Sequence, residues 1–298
     1  MKYLLTIIFF NVLLLGSVPE DYFQQDVHYE IQVTLNDSDH TLSAYENLIY
    51  KNNSPDTLGF IWFHVWPNAY KNNETAFAKQ HWKSNRTDFY FSSEKERGYL
   101  DSLDFAVNGL EAQWEYHPKW IDVIKLFLPE FLPPDGEITI ETPFFVKLPK
   151  VFSRLGHTGK HYEITQWFPK PAVFDRDGWH PMPYLNMGEF YSEFGSFDVK
   201  ITLPEDYRIM ATGDLVNGDE EYAWLDSLSK EGAKLREMSK KEIKKWKEEI
   251  DNEEKTEDRW FKKFRKLFSR KQDKIDEELE NISEPKMKTL HFHQDNVH

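Results

Sequence analysis

The chain has 298 residues, 40% of them apolar and 16% aromatic, enough to bury one large core or two ordinary ones, so wholesale disorder is excluded. Its 37 basic residues against 51 acidic ones leave a net charge of −14, a field that repels phosphate backbones and anionic lipid and disfavours nucleic acid as a partner. The absence of cysteine removes disulfide scaffolds, thiol nucleophiles, Cys-ligated zinc and iron–sulfur clusters together.

At the N-terminus, Met1-Lys2 precedes an apolar run over 3–15, broken only by Thr6 and Asn11, and then the small residues Gly16 and Ser17. A charged start, a short apolar stretch and a small-residue exit have the form of a secretory signal over 1–17. The run falls short of the ~20 residues that a bilayer-spanning helix needs. The expectation is therefore export to a periplasm or the cell exterior, with no permanent membrane span.

Residues 18–228 read as strands. Apolar side chains occupy every second position over HYEIQVTL and TLSAYENLIYKN, and the turn cluster Asn36-Asp37-Ser38-Asp39 divides the two runs, which predicts a hairpin. Further strands are predicted at 58–65, 99–107, 111–116, 123–128, 137–146, 197–203 and 207–211, with a short helix or long loop over 68–80. Many short strands without long intervening helices predict a mainly β fold of mostly antiparallel sheets, a β-sandwich or a large open sheet, and argue against a doubly wound α/β domain.

Composition shifts after Trp224. Between 230 and 284 there are 17 basic and 16 acidic residues, so the net negative charge belongs to the β portion. Leu235, Met238, Ile243, Trp246 and Ile250 share one helical face, and Trp260, Phe264, Leu267, Phe268, Ile275 and Leu279 form a second stripe. These predict an inserted amphipathic helical hairpin over 229–284 whose stripes face each other and whose charges are solvated. A partner- or membrane-binding arm, aided by the basic run 259–271, is the other reading. A return strand is expected over 285–298, at 287–292.

With no Cys, a zinc site must use His and carboxylates, yet no His-Glu-x-x-His occurs among the eleven histidines. His157 and His161 are four apart, but Gly156 and Gly159 lie among them and predict a polar loop. His291 and His293 share a strand face, which without a third ligand predicts a wet sheet face. No Gly-x-Ser-x-Gly elbow, phosphate loop or dinucleotide fingerprint is present, and no carboxylate spacing marks a glycosidase dyad. The residues alone read as non-catalytic.

The densest segment runs from 153 to 213. Pro169, Pro171, Pro181 and Pro183 forbid continuous helix, and Trp167, Phe168, Phe174, Trp179, Tyr184, Phe190, Tyr191, Phe194 and Phe197 supply adhesive area. A rigid aromatic loop is predicted, serving either as a binding edge or as a corner that packs one sheet against a neighbouring domain.

Within it, ITQWFPKPAVFDRDGWHPMPYLNMGEFYSEFGSFDVKITLPEDYRIMATGDL resembles the end of the N-terminal β domain in secreted bacterial members of the aminopeptidase N-like zinc metallopeptidases, the gluzincins. The phrases DVHYEIQVTL, FIWFHVWPNAY and TLHFHQDNV fit the same template, so the resemblance spans about 22–298 without the helical insertion. It implies a saddle-shaped β-sandwich that precedes a thermolysin-like catalytic domain carrying a Gly-x-Met-Glu-Asn strand and a His-Glu-x-x-His helix with a distant zinc-binding Glu. None of those motifs is in this sequence.

The resemblance therefore implies no metal or catalytic residue in this chain, zinc in the full-length family member, a peptide substrate, and a C-terminal catalytic domain as partner. In such relatives the β domain lends a Gln or Glu from a Thr-Gln-x-Glu-like motif to the substrate's N-terminal end. Gln166, in Thr165-Gln166, and Glu163 are the candidates here. Two functions stand: the non-catalytic domain of an exported zinc aminopeptidase, forming part of the cleft wall, or a free-standing secreted β-sandwich that binds protein or peptide.

Overall fold

The computed structural model describes residues 22–237, 240–242, 244, 245, 247, 248, 252 and 286–298. The predicted signal over 1–17, the stripe from Trp260 to Leu279 and, in the first stripe, the residues beyond Leu235 lie outside the described residues.

Alternation becomes a hairpin at the start. Strand β1 (Asp26–Asn36) buries Val27, Tyr29, Ile31, Val33 and Leu35, and β2 (Thr41–Lys51) pairs with it from Asp26 opposite Lys51 to Asn36 opposite Thr41. The turn closes on Asn36, whose Oδ1 accepts the Ser38 and Asp39 amides at 3.0 and 3.2 Å. His40 completes it with a left-handed φ of 56°.

Strand β3 (Leu58–His64) leads into a 3-10 turn at Trp66–Tyr70 and then α1 (Ala76–Lys83), capped by the Thr75 side chain accepting from the Ala78 amide. Next come β4 (Tyr99–Asp101), β5 (Ala106–Val107), β6 (Leu110–Glu111), β7 (Trp114–Tyr116), β8 (Val123–Leu132) and β9 (Glu137–Lys147). Five short strands follow: β10 (Gly156–Thr158), β11 (His161–Glu163), β12 (Lys170–Pro171), β13 (Phe174–Asp175) and β14 (Gly178–Trp179). Strands β15 (Gly195–Pro204) and β16 (Asp214–Leu215), helix α2 (Asp219–Glu237) and strand β17 (Met287–Val297) complete the described chain.

A nine-stranded sheet in the order β16-β17-β15-β1-β2-β9-β5-β6, with β4 also on β9, faces a four-stranded sheet in the order β12-β3-β8-β7. Between them Ile31, Leu48, Ile140 and Val146 of the large sheet share one core with Ile61, Phe63, Ile124 and Leu126 of the small one. The fold is mainly β, as predicted. Among the described residues every ladder between the named strands is antiparallel except β1 with β15, which run parallel from Val27 opposite Gly195 to Thr34 opposite Thr202. Parallel neighbours need a long crossover, and here it is the whole chain between them.

Three predicted strands differ. The run 99–107 breaks at Ser102, whose φ of 60° turns the chain between β4 and β5. The run 111–116 splits because the chain changes sheet, leaving β6 on the large sheet and β7 on the small one. At 207–211 there is no strand, because side-chain contacts hold the segment instead. Tyr207 donates to Asp37 at 2.9 Å, and the Arg208 guanidinium lies 4.6 Å from the Trp224 ring. Helix α2 starts at Asp219, ahead of the charge boundary at 229, because Asp219, Glu220 and Glu221 suit its N-terminal dipole.

The parallel pair has one tight point. A Cβ on Gly195 would lie 2.6 Å from Val27 Cγ2 and 2.8 Å from the Val27 carbonyl oxygen. Gly195→Ala is expected to destabilise by roughly 1–3 kcal/mol, the usual cost of overpacking. Urea melts should show a lower midpoint at an unchanged slope, and an unshifted midpoint would refute this pairing.

Candidate functional site

The segment 153–194 forms a roof over the part of the core that the small sheet leaves open. Strand β12 joins it to β3, with Lys170 opposite His64 and Pro171 opposite Phe63. Its rings point inward: Phe168 packs edge-on against Tyr29 at 5.4 Å, and Tyr184, 1% exposed, meets Tyr70 and Phe77 at 5.4 and 5.7 Å. The inner rings pack into the core of the chain itself, while Met187, Tyr191 and Phe194 remain exposed.

Polar side chains from the sheet end bind the roof. Trp66 Nε1 donates to the Met182 carbonyl at 3.0 Å, the Met182 amide donates to His64 Nε2 at 3.1 Å, and the Tyr184 amide donates to Asp122 Oδ2 at 2.7 Å. Burial pushes the Asp122 carboxyl up to about 7. Fully buried His64 stacks on Trp66 at 4.4 Å and is held well below the usual imidazole range, by burial first and by the charge of Lys170 second.

Lys170 is the centre of this arrangement. It is 7% exposed, its Nζ donates to Gln166 Oε1 and, at 2.9 Å, to Ser192 Oγ, and it lies 4.4 Å from the Trp66 ring centroid. Both of these hydrogen-bond partners are uncharged, and burial lowers its pKa to about 7. An amine that is half unprotonated at neutral pH is the state a general base or nucleophile needs. Its enclosure, however, keeps a substrate away, and what it does here is pin the roof to the sheet.

Gln166 and Glu163 are bonded apart from each other. Gln166, at a left-handed φ of 53°, gives its carbonyl oxygen to Lys170, whereas exposed Glu163 on β11 pairs with His161 Nε2 at 3.1 Å. His157 and His161 occupy different strands of one hairpin, and His157 stacks on His40 at 3.6 Å. His291 and His293 do share a face, where both meet Asp198, at 2.6 and 2.9 Å. The bond from His291 is the larger cause that lowers the Asp198 pKa, and the bond to Asp198 raises that of His293.

Sequence reasoning missed Lys170, His64 and Asp198. The first two are singled out only by what the fold lays over them, and Asp198 only by the register of β15 on β17. Among the described residues no three His, Asp or Glu side chains are grouped to hold a metal. Among the same residues no helix is long and apolar enough to cross a membrane.

No family profile matches the sequence, and no curated protein matches it. Solved structures that resemble the chain include a two-domain M1 zinc metallopeptidase mutant bound to L-arginine, at 13% identity, and the M1 zinc metallopeptidase of Deinococcus radiodurans, at 14%. A mutant of the Deinococcus radiodurans protein bound to a Tyr-Ser-Ala substrate is similar too, at 14%. In each case the TM-score is 0.37, and the match covers 65% of this chain and 36% of that one. The chain thus spans about a third of the length of the structures it resembles.

Because the Lys170 pKa falls from 10.5 to about 7 on folding, the folded state binds fewer protons than the unfolded chain between those values. Stability therefore rises with pH across that window, and below pH 7 the burial penalty is carried in full. Relative to Lys170→Met, the parent should gain roughly 2 kcal/mol between pH 7 and pH 9 in denaturant melts. Parallel pH profiles for the two proteins would rule this out.

Proposed function

We propose that this chain is the N-terminal, non-catalytic domain of an exported zinc-dependent metallopeptidase of the aminopeptidase class, which removes N-terminal residues from peptides, and that it forms part of the substrate cleft wall. The observation that carries the reading is the segment 166–213. The residues whose sequence resembles that family are the ones that build the roof, lock β12 onto β3 and continue into β15, the strand joining the first hairpin to β17. Gln166 and Glu163 are the proposed contacts to the substrate's N-terminal end, and the leader at 1–17 is the proposed export signal.

A second domain is supported by the outer face of the small sheet. Phe60, Trp62 and Phe127 surround Lys125 Nζ at 4.0, 5.5 and 5.2 Å, and Phe131, further along β8, is 77% exposed. An aromatic face of this kind on a sheet already packed on its other side is a surface for another protein unit to cover. In this reading that unit is the catalytic domain, and zinc belongs to it: two His and one Glu would hold the ion, with an open position for the attacking water.

Reading the source transcript past codon 298 tests the proposal. The expected result is an open frame encoding Gly-x-Met-Glu-Asn and His-Glu-x-x-His. The longer protein should bind zinc and cleave an aminoacyl reporter, and the 298-residue chain should do neither. A stop codon at that point with a stable secreted product would favour the free-standing binding module, and metal-dependent turnover by the short chain would overturn both readings.

A further inference from the structure

Beside the roof, between the chain entering β1 and the β13–β14 hairpin, lies a cleft of about 330 Å3. Tyr22, Tyr191 and Phe194 form its aromatic walls, each partly exposed, and its charged lining is three carboxylates, Asp175, Asp177 and Glu193, against one guanidinium, Arg176. Asp175 is fixed in place. Its Oδ1 meets His180 Nε2 at 2.8 Å and accepts the Asp177 amide at 2.9 Å, and its Oδ2 accepts the Tyr191 hydroxyl at 3.1 Å. Burial works against its charge, but these bonds outweigh burial and hold the carboxyl below its usual range.

Glu193 differs from Asp175 within this cleft. The residue is 8% exposed, yet its Oε1 has no hydrogen-bond partner. Burial raises its pKa to about 7, although the Phe174 and Gln25 backbone and the Gln24 side chain favour the charged form. The buried cation nearby does not reach it: Lys170 is spent on Gln166 and on Ser192, which stands in the cleft wall. A buried carboxylate oxygen without a donor costs free energy that a ligand carrying N–H groups would recover.

The chemistry narrows the ligand class. A metal ion needs several converging donors, and the described residues do not group them. A guanidinium is best met by two parallel acceptors, whereas Glu193 offers one unpaired oxygen. An alkyl ammonium brings three donors and a compact positive charge, which Tyr and Phe faces attract. We infer that this cleft binds a primary ammonium on a short flexible chain, such as a peptide N-terminus or a lysine side chain, with Glu193 and Asp175 as its anions and Tyr22, Tyr191 and Phe194 as its walls. The inference concerns residues of this chain alone and does not rest on the catalytic reading above.

Calorimetric titration of the full chain with three amidated peptides tests it: Gly-Ala-Ala with a free N-terminus, N-acetyl-Gly-Lys-Gly, and N-acetyl-Gly-Ala-Ala. Saturable binding of the first or the second, and none of the third, is expected, and the peptide that binds identifies the source of the ammonium. Glu193→Gln should weaken that binding about tenfold, since a charge-assisted bond becomes a neutral one. Glu189→Gln, exposed in the same loop, should leave it unchanged. Should Glu193→Gln fail to fold, Tyr191→Leu, which removes a wall and a donor to Asp175, should weaken binding as well. Equal binding of the doubly blocked peptide, no saturable binding of any peptide, or binding indifferent to these cleft variants would each overturn the inference.

Discussion

A nine-stranded sheet packed against a four-stranded one leaves apolar surface that water must not reach. The small sheet covers Leu48, Ile140 and Val146, but around Val27 and Tyr29 the cover comes from the roof, with Phe168 against Tyr29 and Phe174 near Phe23, while Phe197 of the neighbouring strand β15 stacks on Tyr29 at 4.5 Å. A loop that lies on a core brings backbone donors with it, and buried donors require acceptors. Pro169, Pro171, Pro181 and Pro183 reduce the number of donors, and β12 and the β13–β14 hairpin pair some of the rest. The composition of 153–194, rich in proline and aromatic residues, follows from this mismatch in sheet size.

The same constraint separates what the sequence reveals from what it hides. Strands β1, β2, β3, β8 and β9 are legible because each has one face in the core, and alternation reports such a face directly. Strands β10 to β14 are two or three residues long, too short to show a period, so the roof reads only as a rigid aromatic loop. The parallel β1–β15 pair is invisible to local pattern, since antiparallel and parallel partners of a half-buried strand alternate alike. At 207–211 alternation misleads, because Tyr207 and Arg208 are positioned by Asp37 and Trp224 rather than by a ladder.

The candidate site is less legible than the fold. Gln166 and Glu163 are drawn from resemblance, and the structure ties them to Lys170 and His161, partners that no spacing in the sequence points to. Lys170 carries no mark in the chain except its place between two prolines. Its buried state arises because β12 sets it opposite His64 while Trp66 and Ser192 close over it, a three-body arrangement with sequence separations that no window spans.

Buried ionisable groups are usually a burden, and this fold keeps several beneath the roof by letting them approach neutrality rather than by pairing them. Asp122 and Lys170 both titrate near 7, and His64 stays uncharged. Each serves the roof: Asp122 takes the Tyr184 amide, His64 takes the Met182 amide, and Lys170 holds Gln166 and Ser192. Their cost is thus offset by backbone and side-chain groups that would otherwise be orphaned at the seam between loop and sheet. Glu46 follows a different rule. On the core face of β2, opposite Ile31 and Thr142, burial alone raises its pKa, and its Oε2 has no hydrogen-bond partner. Glu193 shares the unpartnered oxygen and its charge reaches the buried Tyr29 and Tyr50, but unlike Glu46 the residue also lines a cleft. A polar atom left without an internal purpose at the edge of a cavity is the feature that separates a binding residue from a structural one.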